Sequence, residues 1–336
     1  LGCIDIHPGY HACVNPRETS QLVRKIATAA GFDRCGITPA VPIGRAQYLR
    51  DWLGAGRAGS MDYMHRYFEQ RIDPSLLVHQ AKSVIVVALL YHQQNPETCE
   101  DRSGSKGRIA TYAWGDDYHD VVREKLRVLV NRLRGVLTEP FDARVCVDTA
   151  PILERELAER AGVGWIGKNT MAIHPQIGSY FFLGEIVTTL DLAPDEPMDD
   201  HCGTCTACLD ACPTNAFPVA YEMDASRCIS YLTIEQRGEI APELQRSMGN
   251  WVFGCDICQE VCPFNRKAPV ATEPRFAVRE PAPRAPLREV LEWSMNDYRK
   301  KLKGRALKRA KLDMWRRNAE IVRGNAAAQD EPKSES

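Results

Sequence analysis

No run of eighteen apolar residues occurs anywhere in the chain, so no membrane-spanning helix is expected. Leu1 to Asn15 lacks a basic stretch followed by an apolar one and does not read as a secretory signal. There is little excess charge of either sign: 43 basic residues face 44 acidic ones. That balance argues neither for nor against a polyanionic partner. No long internal repeat is visible. The 13 cysteines are odd in number and are not spread like a disulfide framework. Eight of them fall between Cys202 and Cys262. Thiols clustered at short spacings read as metal ligands, because thiolates are the soft ligands that iron–sulfur clusters require. Such sites belong in a reducing compartment, so a cytoplasmic location is expected.

The 336 residues leave room for about two domains. Residues 1–17, with Cys3, Cys13, His7 and His11 before Pro16, read as a loose extension with at most a stray metal site. Helical periodicity runs from Glu18 to Ala30 and stops at Gly31; Ile43 to Leu53 is a second candidate helix. Lys82 to Leu90 holds the β-branched run SVIVVALL and reads as a buried strand. Asp117 to Leu137 is a long amphipathic helix, Ala143 to Val147 a strand, and Ile152 to Ala161 a helix ended by Gly162. Met171 to Ile173 and Tyr180 to Leu190 read as strands around a turn at Pro175 to Gly178. This alternation argues for an α/β domain over 18–192. Leu192 to Asp200 reads as a linker, the cysteine-rich unit spans 193–269, and 270–325 is a Pro-rich connector followed by a basic helical region. Residues 326–336 are polar and expected to be disordered.

The cysteines carry the most specific signal. Cys202-x2-Cys205-x2-Cys208-x3-Cys212-Pro213 is the bacterial ferredoxin run, in which three cysteines wrap one cubane and the fourth crosses to another. The second unit, Cys255-x2-Cys258-x3-Cys262-Pro263, lacks one cysteine, and Cys228 is the nearest spare thiol. Crossed ligation assigns Cys202, Cys205, Cys208 and Cys262 to one [4Fe–4S] cluster and Cys212, Cys228, Cys255 and Cys258 to a second. This is a small α+β, ferredoxin-like module; a pair of zinc sites is the alternative. Cys35, Cys99 and Cys146 are isolated and read as buried free thiols. Two clusters alone make a ferredoxin, and the extra mass points to a second cofactor in the larger domain.

The stretches QRIDPSLLVHQAKSVIVVALLY, YAWGDDYH, VDTAPILERELAERAGVGWIGKNTMAI, GSYFFLGEI, RCISYLTIE and GCDICQEVCPFN resemble the epoxyqueuosine reductase family. The similarity runs from about Glu18 to Asn325. It implies a cobalamin in the α/β domain close to one cluster, and reductive removal of an epoxide oxygen from a modified guanosine at the tRNA wobble position. It also implies tRNA as partner, an unidentified low-potential electron donor, and a monomer. Asp148, in VDTAP, matches the family's proton donor. To act as an acid near neutral pH its pKa must be raised, most simply by burial. Its alternative role is to cap the helix starting near Pro151. Arg71 in QRIDP, Tyr112 in TYAWG, and Lys168 and Asn169 in GWIGKN are candidate cobalamin contacts. Ser230 and Asp256 are expected where cluster and corrin meet. His119 and His174 could ligate cobalt from below, but the family holds cobalamin without such a ligand, and surface positions are expected for both.

Arg299 to Arg317 reads RKKLKGRALKRAKLDMWRR, with Asp313 as its single acid. A solvated helix face is the plain reading. With Trp315 as a stackable aromatic, the run also suits RNA, which makes Lys300, Lys301, Arg305, Lys308 and Arg309 candidate tRNA contacts. Two other functions share parts of this pattern: a cobalamin and iron–sulfur reductive dehalogenase, and a non-enzymatic ferredoxin-like carrier.

Overall fold

The computed structural model describes residues 15–94 and 104–330. Cys3, His7, His11, Cys13, Cys99 and residues 331–336 lie outside the described residues. The chain enters on the helix Pro16–Ala29. Asn15 caps it by accepting the Arg17 amide at 3.0 Å, and Pro16 sits in the first turn, where a missing N–H costs nothing. The helix therefore starts inside the stretch expected to be loose. It ends at Ala30, and Gly31 takes φ +88°, a left-handed geometry that suits glycine.

The strands are Arg34–Pro39 (β1), Ser83–Leu90 (β2), Lys106–Ile109 (β3), Ala143–Cys146 (β4), Trp165–Ile166 (β5), Ala172–Ile173 (β6), Phe181–Thr188 (β7), Trp251–Phe253 (β8) and Arg284–Pro286 (β9). The main sheet has the order β1-β2-β7-β4. Alternating strands and helices imply the α/β class with mostly parallel strands, but every pairing in this sheet is antiparallel. Helices nevertheless cover both faces, so β2 is buried along its whole length. Its Ile85, Val87 and Leu89 pack with Val23, Val122, Leu126 and Leu129 on one side. Val84, Val86, Ala88 and Leu90 pack with Leu157, Ala158 and Val163 on the other. A strand buried on two faces shows no alternation, and this is why SVIVVALL reads as one apolar run. The helix Tyr118–Val136 begins as expected, with the Asp117 side chain accepting the His119 amide. The expected turn before β7 is present as a bridge between His174 and Gly178, although β6 pairs with β5 rather than with β7.

A smaller sheet has the order β8-β3-β9. It takes one strand from each of the three segments read above as 18–192, 193–269 and 270–325. The boundaries at 192 and 269 therefore do not separate independent units. Ile109, Phe253 and Ala285 share one core with Trp293, Leu307 and Trp315. The linker is also docked: Asp195 accepts from Arg24 at 2.6 Å and from the Ile37 amide at 2.8 Å.

The basic region is not one helix. It is built from Leu287–Glu292, Met295–Lys301 and Leu312–Asp330, broken where Gly304 turns the chain at φ +69°. The last helix continues through residues 326–330, which the polar composition marks as disordered. No helix of the described residues is long and apolar enough to cross a membrane.

Candidate active site and redox centre

Both cysteine units use the same local device, a turn followed by a four-residue helix, Ala207–Asp210 in one and Ile257–Glu260 in the other. Such a turn brings thiols spaced by two residues to one side. Cys202, Cys205, Cys208 and Cys262 line one cavity of about 170 Å³. In the second group, burial pushes the Cys255 thiol up, and Cys228 and Cys212 add to the effect. Burial likewise raises Cys258, assisted by Cys228 and Cys255. The thiols of the second CxxC unit are thus within electrostatic reach of Cys212 and Cys228, and Cys208 also acts on Cys258. Four sulfurs lining one cavity fit a cubane. Burial also lifts Cys208 to about 11, so iron must displace protons as it binds. Cys146 is buried as expected, and Cys35 is partly covered.

The GWIGKN loop braces the first set. The Trp165 indole donates to Cys202 Sγ at 3.4 Å, and Lys168 Nζ donates to Gly203 O at 2.6 Å and Cys205 O at 2.9 Å. Asn169, 2% exposed, donates to Cys258 O at 3.3 Å. Lys168 and Asn169, read from sequence as cobalamin contacts, are committed here to the cluster loops.

Asp148 follows β4 at φ +47°, a strained position for a residue other than glycine. Its Oδ2 accepts from the Tyr118 hydroxyl at 2.8 Å and lies 2.9 Å from His119 Nε2. Its amide donates to Glu154 Oε1 at 2.5 Å. The capping role is not taken, because the following helix starts only at Glu154. Desolvation pushes the Asp148 carboxyl up, but His119, the Tyr118 hydroxyl and nearby Arg309 outweigh it and hold the group below its ordinary value. This corrects the expectation of a raised pKa. The side chain is 52% exposed, which fits an ionised group. For His119 burial favours the neutral ring, yet hydrogen bonds to Asp117 and Asp148 push it up to about 9. At neutral pH the pair therefore carries its proton on the imidazole. Behind it, burial and the charge of Asp148 raise Glu154 to about 8, and Glu185 is fully buried and raised further.

Neither histidine is a bare surface residue. His119 engages Asp117 through Nδ1 at 2.7 Å. His174 is 7% exposed, lies 3.2 Å from Arg34 Nε through Nε2, and is pushed down to about 4 by burial and that guanidinium. Arg71 is buried and donates to Tyr63 O at 3.0 Å and Arg66 O at 3.3 Å. Burial raises Tyr112, and both Asp148 and Asp256 are close enough to add to the effect. Asp256 Oδ2 accepts from the Thr111 amide at 2.7 Å and hydroxyl at 2.8 Å, and burial lifts it to about 6. Ser230 is half-buried in the helix that follows Cys228.

The basic run divides. Lys300, Lys301 and Lys308 are exposed. Arg309 is exposed but paired with Glu235 at 2.7 Å. Arg305 is 1% exposed, and its guanidinium donates to Glu280 O, to Ala113 O at 3.1 Å and to Trp114 O at 2.8 Å. It cannot reach a phosphate, so that expected contact is withdrawn. Trp315 is 0% exposed, stacked on Phe253 at 5.5 Å, and offers no ring to RNA.

Eight clustered thiols in one chain with a hydrogen-bonded carboxylate and imidazole point to an iron–sulfur oxidoreductase. The chain is 39% identical over 320 residues to an epoxyqueuosine reductase of Xanthomonas campestris, covering 94% of this chain and 90% of the relative. It is 38% identical to that of Escherichia coli, covering 93% and 83%. It belongs to the epoxyqueuosine reductase family. Residues 71–149 match the family model "Epoxyqueuosine reductase QueG, DUF1730", and 201–265 match a 4Fe-4S double cluster binding domain. A crystal structure of epoxyqueuosine reductase with an epoxyqueuosine-modified tRNA-Tyr stem loop superposes with TM-score 0.86 at 32% identity, covering 92% of this chain and 82% of that one. The enzyme from Streptococcus thermophilus gives 0.82 at 32%, covering 91% and 80%.

Proposed function

We propose that this protein reduces epoxyqueuosine to queuosine at the wobble position of tRNA. The observation that carries the reading is the similarity of nearly the whole chain to epoxyqueuosine reductases, with a hydrogen-bonded Asp148–His119 pair that can hold and deliver a proton. The overall change consumes two electrons and two protons, releases the epoxide oxygen as water and leaves an alkene. The first thiol set has the exposed Cys205, whereas the four thiols of the second are all partly covered. Two [4Fe–4S] clusters, held by Cys202, Cys205, Cys208 and Cys262 and by Cys212, Cys228, Cys255 and Cys258, would relay electrons from a low-potential donor, with the exposed Cys205 marking the side open to that donor.

A cobalamin would be held by residues around Tyr112, which Asp148 and Asp256 both reach electrostatically. The hydroxyls of Tyr112 and Ser230 make no protein hydrogen bond among the described residues, and would hold it together with Asp256 and the Arg71 segment. When bound, it supplies a centre that stores electrons and delivers them to carbon. The chain's own part is the proton. His119 holds it at neutral pH, Asp148 Oδ2 receives it across 2.9 Å, and the carboxyl passes it to the departing oxygen. Asp117 keeps the imidazole oriented through Nδ1. On the surface, Lys300 and Lys308 add phosphate contacts, and Lys301 and Arg309 join them when released from Glu289 and Glu235.

The test is nucleoside mass spectrometry of epoxyqueuosine-containing tRNA incubated with the reduced, anaerobically purified protein. Queuosine should replace epoxyqueuosine. Unaltered nucleoside alongside intact clusters and bound cobalt would reject the reading.

A further inference from the structure

Residues 61–68 take no part in the chemistry above, yet Tyr63 brings them within reach of Asp148 and Arg309. The Tyr63 ring lies beneath the Arg309 guanidinium at 5.4 Å, and Asp148 acts on both Tyr63 and Arg71. Arg71 fixes the segment from inside through the Tyr63 and Arg66 carbonyls, and its own amide donates to Tyr67 O at 3.0 Å. Clamped in this way, Tyr67 adopts φ +55° and ψ +37°. A bulky side chain rarely occupies this left-handed region, and the cost must be offset elsewhere.

Packing does not explain the cost. Tyr67 is 66% exposed, more than any other large apolar residue described. Its hydroxyl makes no hydrogen bond and no ring packs on it among the described residues. The neighbouring His65 and Arg66 are also exposed. Arg50 lies over the Phe68 ring at 4.7 Å, and neither it nor Arg66 has an acidic partner among the described residues. Strain that presents an uncovered ring between unpaired cations is the kind of outlier from which a function can be inferred.

We propose that Tyr67 is a stacking platform for an unpaired nucleobase of the substrate's anticodon loop, next to the modified guanosine at Asp148, with Arg66 and Arg50 on the adjoining phosphates. This rests on the tRNA reading above. Loop nucleotides can be splayed out and stacked on tyrosine or guanidinium planes, which takes any base because every base has a π-face. A rigid ring already held at the rim loses little freedom when a base settles on it.

The experiment uses the full-length protein and an unmodified anticodon stem-loop hairpin with 2-aminopurine beside the wobble position. Tyr67→Gly removes the ring and relaxes the left-handed backbone. Its melting temperature should equal or exceed that of the wild type, while hairpin affinity falls roughly tenfold, the share of one base–aromatic stack. Quenching of 2-aminopurine on binding should vanish in Tyr67→Gly and persist in Tyr67→Phe. Affinity within about twofold of wild type, or unchanged quenching, overturns the proposal; a rim that docks a protein instead would give that result. If the wild type binds the hairpin but does not convert epoxyqueuosine tRNA, the enzymatic reading fails, and Tyr67 is still judged by the binding arm.

Discussion

His119 Nε2 stands 2.9 Å from Asp148 Oδ2, and the proton between them rests on the imidazole at neutral pH. The acid of this site is therefore a pair, with Asp148 as its more exposed member. Asp148→Asn keeps the shape and removes the transferable proton. Single-turnover conversion by the pre-reduced variant should fall by ~10² to 10⁴-fold, with both clusters retained. Conversion near the wild-type rate would remove Asp148 from the mechanism.

The pair also sets a pH dependence. His119 must be protonated to reload Asp148, so the wild-type single-turnover rate should decline as pH rises through about 9. His119→Gln should lower the rate and abolish that limb. Stability follows the same groups. A raised histidine contributes fully below its ordinary value, near ~6.5, and loses the contribution as pH climbs to its folded value. A depressed aspartate contributes above its ordinary value, near ~3.9, and loses the contribution as pH falls. The melting-temperature gap between wild type and His119→Gln should be widest between roughly pH 4 and 6.5. It should close above about 9. A gap that does not vary with pH would refute the ion pair.

Cys228 is the one proposed ligand outside the two CxxC units. Cys228→Ala should lose about half of the bound iron and sulfide, taken from the set with Cys212, Cys255 and Cys258, while the cavity lined by Cys202, Cys205, Cys208 and Cys262 stays loaded. Full iron retention would break the crossed assignment.

Charge reversal at Lys300, Lys301 and Lys308 should weaken tRNA binding and flatten its dependence on salt. Arg305→Ala should behave differently. It strips donors from the Ala113, Trp114 and Glu280 carbonyls in a closed core, at a cost of roughly 3 kcal/mol or more. The readout is a lower melting temperature with an unchanged salt slope for RNA. A normal melting temperature would count against the buried placement.

The double-cluster domain was legible because short spacings let neighbouring thiols share a turn. The buried strand β2 and the helix capped by Asp117 were legible for the same local reason. What the sequence hid is what distance in the chain hides. His119 and Asp148 lie on different elements, and only the fold shows that a histidine next to an aspartate-capped helix start meets the β4 terminus. The antiparallel sheet was equally invisible, since burial on both faces erases the alternation that distinguishes strand arrangements. Arg305 and Arg309 look alike in a basic run, but one is sealed behind Gly304 and the other opens to solvent.

The small sheet β8-β3-β9 bears on how the protein is made. β3 is synthesised early, yet its neighbours β8 and β9 begin at Trp251 and Arg284. The main sheet can close as soon as β7 has left the ribosome. β3 must wait, unpaired, until most of the chain has emerged. Cys255 and Cys258 lie just past β8, so the backbone that carries them is fixed only as that late pairing forms.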